Sequence, residues 1–147
     1  NFRKHLMEAW RLVEQDASSA VGSHVAGLLG WSNEVAGHVD DAATWHGRAR
    51  RIAVQTGIQE VRAHADVGVA GWQLARGFLE DSERTAQTAI YIFDNAGDSR
   101  GLSMAIPVWA HSLRLQGRLS EALKVLYKVV AEMPDDPLPF IAAQLTK

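Results

Sequence analysis

Apolar positions recur at three- and four-residue spacing along nearly the whole chain, and no stretch sustains the alternation of a strand with hairpin turns. The pattern starts at once with Phe2, Leu6, Trp10 and Val13. It breaks at Asp16-Ala17-Ser18-Ser19, which offers an N-cap for a helix reaching about Val35. Gly37-His38-Val39-Asp40-Asp41 closes that helix and caps the next, which Gly57 ends. A further helix is predicted from about Ile58 to Phe78. Another, capped by Glu80-Asp81-Ser82, runs to about Asn95. Later breaks fall at Ala96-Gly97-Asp98-Ser99, at Gly117-Arg118-Leu119-Ser120 and at Met133-Pro134-Asp135-Asp136-Pro137. Pro107 sits inside the helix that Asp98-Ser99 opens, where a kink is predicted. The expectation is an all-α chain of about seven to eight helices, with connections short enough to make neighbours antiparallel.

Self-similarity organises these helices. Gly27-Leu28-Leu29-Gly30-Trp31 returns as Gly68-Val69-Ala70-Gly71-Trp72 about 41 residues on, and more weakly as Pro107-Val108-Trp109-Ala110-His111. Ala49 through Gly57 matches Ala89 through Gly97 at an offset of 40. Each unit then reads as a helical hairpin. Gly30, Gly71 and Ala110 are the small residues of the first helix, where a second helix comes close, and Ala42, Ala86 and Ala122 face them from the second. Mid-helix glycine costs about 1 kcal/mol against alanine, so close approach is the reason to expect it there. One such hairpin cannot bury its apolar face alone; a stack can.

Gly117-Arg118-Leu119-Ser120-Glu121-Ala122-Leu123, with Ala110 upstream, Leu126 and Val129 downstream and Pro134 closing, resembles a tetratricopeptide repeat. The first two units are longer than that family's usual repeat and lack its closing proline. They are more similar to the degenerate repeats of actinobacterial transcriptional regulators, as in Leu29-Gly30-Trp31, Arg48-Ala49-Arg50-Arg51-Ile52-Ala53 and Ala96-Gly97-Asp98-Ser99-Arg100-Gly101. The resemblance implies a right-handed superhelical stack of antiparallel hairpins, an α-solenoid. Residues 1–17 form its leading helix, 18–57, 58–97 and 98–134 its three repeats, and 135–147 a terminal capping helix. It further implies that the position after the small residue faces a concave groove. Carried onto this chain, that places Trp31, Trp72 and His111 in the groove, with Glu34, Arg76 (or Ala75) and Arg114 one turn on; the alternative for Trp31 and Trp72 is core packing between units.

Composition narrows the chemistry. Without cysteine, a disulfide framework, a thiolate zinc site and a cysteine nucleophile are excluded. Fifteen basic and 17 acidic residues give a net charge of −2, which offers no reason to expect a nucleic-acid surface. The arginines from Arg48 to Arg51, with Arg62 and Arg76, read as a solvated outer face. No apolar run is long enough to span a bilayer, and no leader pattern opens the chain, so a cytoplasmic domain is expected. Both ends read as cut from a larger protein. His38 with Asp40 and Asp41, and His64 with Asp66, lack the spacing of a metal site, and no phosphate loop or nucleophile elbow is present.

The expected function is therefore non-catalytic, with no cofactor and no metal. The chain would bind a protein or peptide segment, or a small effector, and the resemblance implies that it does so as the regulatory part of a bacterial transcriptional regulator. Two alternatives stand beside it. One is self-association through a terminal helix carrying Phe140, Ile141 and Leu145, giving a homodimer. The other is an all-α enzyme or metal site built on His38, Asp40, His64 and Asp66.

Overall fold

The computed structural model describes residues 1–16 and 19–132, with side chains to Tyr127; the expected capping helix at 135–147 lies outside the described residues. Seven α-helices are present among them, and no strand: α1 (Phe2–Val13), α2 (Ala20–Val35), α3 (Val39–Thr56), α4 (Gln59–Ala75), α5 (Leu79–Ala96), α6 (Ser99–Leu115) and α7 (Leu119–Glu132). A short 3-10 turn, Glu14–Asp16, follows α1. The all-α expectation holds.

Glycine sets the joints. Gly37, Gly57, Gly77, Gly97 and Gly117 all adopt positive φ, between 68° and 80°, a conformation that side chains with a Cβ resist. They recur at a strict spacing. After Gly37, Gly77, Gly97 and Gly117, the chain also closes the wider loop of a Schellman motif, as in His38 N–H to Asn33 O at 2.8 Å and Phe78 N–H to Gln73 O at 2.9 Å. Gly77 ends α4 at Ala75 rather than at Phe78, shortening the helix expected there.

N-caps divide into two kinds. Ser19 Oγ accepts from Gly22 N–H at 2.9 Å and Asp98 Oδ1 from Gly101 N–H at 2.9 Å, as the sequence predicts. α3 and α5 instead begin at His38 and Phe78, which make no side-chain cap. Their acidic pairs, Asp40-Asp41 and Glu80-Asp81, act through charge in the first turn, where the helix dipole favours them. Ser82 does not cap at all: it is buried, and its Oγ donates to Ala70 O at 2.8 Å. The helix α6 runs unbroken through Pro107, whose ring is buried.

The helices form two layers. Beyond packing on its chain neighbours, α2 packs on α4 and α4 on α6, which makes an inner layer of three parallel helices. Helices α3, α5 and α7 are their antiparallel partners. Apolar clusters fill successive joints: Leu6 and Trp10 with Val25, Leu29 and Ile52; Ala63 and Val67 with Phe93 and Ala105; Ile106 and Ala110 with Leu126.

The glycine spacing fixes a register of 40 residues and corrects the alignment of the repeats. Gly30 is equivalent to Ala70 and Ala110, all buried, whereas Gly71 is half-buried and a Cβ there would meet nothing within 4 Å. On the outer helices the small residues in register are Ala42, Ser82 and Ala122. Ala86 shares its register with His46 and Leu126 instead. Trp31 and Trp72 are therefore not equivalent positions. Trp31 is in register with Gly71 and His111, and Trp72 with Ser32 and Ser112.

Candidate functional site

The residues expected in the groove lie near the C-terminal ends of α2, α4 and α6, along one edge of the inner layer. Trp31 is 53% exposed, and its ring meets Phe2 of α1 edge-on, with centroids 6.3 Å apart. Glu34 is half-buried and turns inward, its Oε1 lying 3.1 Å from His46 Nε2. Trp72 is also half-buried. Its Nε1 donates to Val39 O at 3.3 Å, and its ring lies 6.0 Å from that of Phe78, so it ties α4 to the start of α3. Arg76 follows α4 as its C-cap residue and is exposed. His111 and Arg114 meet directly, Arg114 Nη2 to His111 Nε2 at 2.7 Å. Burial first, then the Arg114 charge, holds the His111 imidazole below its usual pKa, so the neutral ring accepts that bond.

Within this set His111–Arg114 is the one side-chain hydrogen bond among the described residues. The structure nevertheless surrounds the set with exposed apolar side chains. Val35 and Leu115, the last residues of α2 and α6, are both exposed and stand in the same register as the exposed Ala75 of α4. This apolar row crosses all three inner helices beside Trp31.

His46 is the feature that sequence reading missed. It is buried on α3, with its ring wedged between two inner helices. A Cβ on Gly30 would lie 2.6 Å from the ring, and one on Gly68 would lie 2.7 Å from it. Its Nδ1 is buried without a hydrogen-bond partner. The burial of Asp66 is the second: the residue is only 1% exposed, at a register where Ala26 and Ile106 stand. Arg50 Nε lies 2.8 Å from its Oδ1 without hydrogen-bond alignment, and Arg62 Nε lies 3.7 Å from its Oδ2. Burial raises the Asp66 carboxyl above its usual pKa, and the charges of Arg50 and then Arg62 oppose that rise.

The residues of the enzyme alternative do not converge. His38 Nδ1 lies 3.2 Å from Arg3 Nη1 at the α2–α3 turn. His64 sits in the N-terminal half of α4, its ring tilted against that of Phe93 with centroids 4.7 Å apart, and its Nε2 lies 3.3 Å from Asp98 Oδ2. Among the described residues no group of three or more histidine or carboxylate side chains could hold a metal ion. The arginine run is not simply a solvated face either: Arg48 lies over the rings of Trp10 and Trp45, at 5.3 Å and 4.7 Å, and these two indoles meet edge-on.

A cavity of about 80 Å³, lined by Ala53, Val54, Gly57, Ile58, Gln59 and Arg62, lies at the opposite edge, at the α3–α4 turn. It is well below the roughly 300 Å³ of a small-molecule site. No helix among the described residues is long and apolar enough to cross a membrane. No family model, curated protein or solved structure matches this chain.

Proposed function

We propose that this chain is a non-catalytic binding module that takes a protein or peptide segment on its inner layer, at the C-terminal ends of α2, α4 and α6. The observation that carries the reading is the half-exposed indole of Trp31, flanked by Val35 and followed across the layer by Ala75 and Leu115. Exposed aromatics with an apolar surround are the usual anchors of an interface. Arg76 and Arg114 at the same edge supply orientation, while Glu34 is turned inward toward His46. The extended apolar row favours a segment of polypeptide over a small effector. Resemblance to the repeats of actinobacterial regulators supports the wider role: the cytoplasmic regulatory part of a bacterial transcription factor, which contacts a protein rather than the nucleic acid.

A displayed library of random peptides tests the site. Sequences enriched on the wild-type domain should lose at least about tenfold in affinity for Trp31→Ala, a change of about 1.4 kcal/mol. Far-UV circular dichroism checks that Trp31→Ala still folds. Enriched peptides that bind both proteins equally would place the interface elsewhere.

A further inference from the structure

Glycine costs a helix more than any residue except proline, so each one inside a helix calls for a physical reason. Gly30 and Gly68 make room for His46, and Gly101 makes room for the Phe93 ring. Gly71 makes room for nothing in the chain: it stands within α4, and a Cβ built on it would meet nothing within 4 Å. Gly27 and Gly47 share that openness, but neither lies on the middle helix of the inner layer.

The register shows what surrounds Gly71. Helix α4 packs between α2 and α6, at a usual interaxial spacing of about 8–10 Å. Across the layer Gly71 is in register with Trp31 and His111, and one turn on Ala75 is in register with Val35 and Leu115. The middle helix therefore presents bare backbone and a methyl group where both flanking helices present larger side chains. The result is a notch about one turn long, floored by α4. Its sides are accessible, with Trp31 53% exposed and Leu115 49%. Phe2 braces the Trp31 ring edge-on, and the adjacent indole of Trp72 is directed to α3, where its Nε1 donates to Val39 O.

Charge sets the chemistry of the occupant. Arg76 follows Ala75 directly and is exposed, and its guanidinium has no ion-pair or hydrogen-bond partner among the described residues. Arg114 donates to the neutral ring of His111 and is paired with no carboxylate among the described residues. Glu34, the acidic residue at these three helix ends, is turned to His46, and the acidic first turns of α3 and α5 belong to the outer layer. Two cations stand unopposed beside an apolar notch, and an acidic segment complements them.

Resting on the docking reading above, we propose that the partner is an acidic protein segment, which buries one large apolar side chain in the notch over Gly71 and sets a carboxylate against Arg76 and Arg114. The entering side chain takes the Trp31 indole out of water, as a central anchor does. The carboxylate fixes the direction in which the segment lies.

Gly71→Leu separates binding from folding, since the new side chain enters open space and leucine favours the helix. Its denaturation midpoint should rise. Its affinity for peptides enriched on the wild-type domain from a displayed random library should fall at least about tenfold. Those peptides should share a large apolar residue and an Asp or Glu. The double variant Arg76→Glu/Arg114→Glu should bind them at least about tenfold more weakly. Peptides remade with Lys at the acidic positions should bind that variant more tightly than wild type, which shows it folded. Binding lost in Trp31→Ala but unchanged in Gly71→Leu overturns the notch and leaves the docking reading standing. Unchanged binding in both overturns the docking reading as well, as does a library from which nothing enriches. Enriched peptides without acidic residues, or acidic ones that bind the double variant as tightly as wild type, overturn the assigned partner.

Discussion

His46 occupies a space that two glycines leave open, and the contact is tight enough to test one atom at a time. Gly30→Ala gains about 1 kcal/mol of helix propensity but drives a Cβ to 2.6 Å from the imidazole. The net expected result is a loss of about 1–2 kcal/mol in urea denaturation. In a His46→Ala background the same substitution should cost nothing, and the double-mutant cycle reads that coupling. The sequence marks Gly30 as a place of close approach but not what approaches, because the partner comes from another helix and no spacing rule pairs them. Charge is legible in the same partial way. Nothing in the sequence around Asp66 marks it as buried, yet it is, and its native pKa lies above 3.8. The native state then holds that proton more tightly than the unfolded chain. The group's stabilising share is complete below pH 3.8 and is lost as pH rises through its native pKa. Asp66→Asn should flatten the decline in melting temperature over that rise. For His111 the sign reverses: its pKa is lowered from 6.5. Its contribution is present above pH 6.5 and falls away as pH drops through the native value. An imidazole NMR titration of Arg114→Gln should move His111 only part of the way back, since burial is the larger cause.

At the scale of the element, caps and glycines made most of the fold readable. Ser19 and Asp98 cap where their side chains suggest, and Gly57, Gly97 and Gly117 end or join helices where expected. The misreadings share a physical origin. Gly77 lies between Arg76 and Phe78, with no polar break to announce it, so α4 reads three residues too long. The paired glycines around Trp31 and Trp72 suggest an alignment one residue away from the true register, because glycine is abundant in both helices for different reasons. Gly30 yields to His46, while Gly71 yields to nothing within reach. This displaced register is why two tryptophans looked equivalent when one faces outward and the other ties α4 to α3. The helix α4 also exposes an opportunity. Its N-cap is Ile58, with no side-chain bond to the first turn, where α6 has Asp98 in the same register. Ile58→Asp should stabilise the protein by about 0.5–1 kcal/mol, raising its denaturation midpoint. Asp98→Ala should lower it by about 1 kcal/mol.

For the molecule as a whole, the question is whether it behaves as one globule or as a row of coupled units. Successive hairpins are stitched at the same place each time. Arg3 of α1 meets His38, Trp72 Nε1 reaches Val39 O, and Glu83 of α5 holds both Gln116 and Arg118 at 3.0 Å and 2.9 Å. Arg118 is shared further with Glu121, whose side-chain hydrogen bond is the largest cause of its raised pKa. In a linear array each unit feels chiefly its neighbours. Glu83→Ala removes the stitch between the second and third hairpins and leaves Gln116 without its acceptor. Amide hydrogen exchange should then show protection lost most in α6 and α7, less in α4 and α5, and least in α1 and α2. A globule with one indivisible core would lose protection evenly, because every opening would be the global one. The graded pattern also bears on binding. A partner lying across α2, α4 and α6 bridges all three hairpins, so it should restore protection in α6 of the Glu83→Ala variant as it binds. Peptides selected on the wild-type domain allow that recovery to be measured directly. Protection that returns in α2 alone would confine the partner to the Trp31 end of the layer.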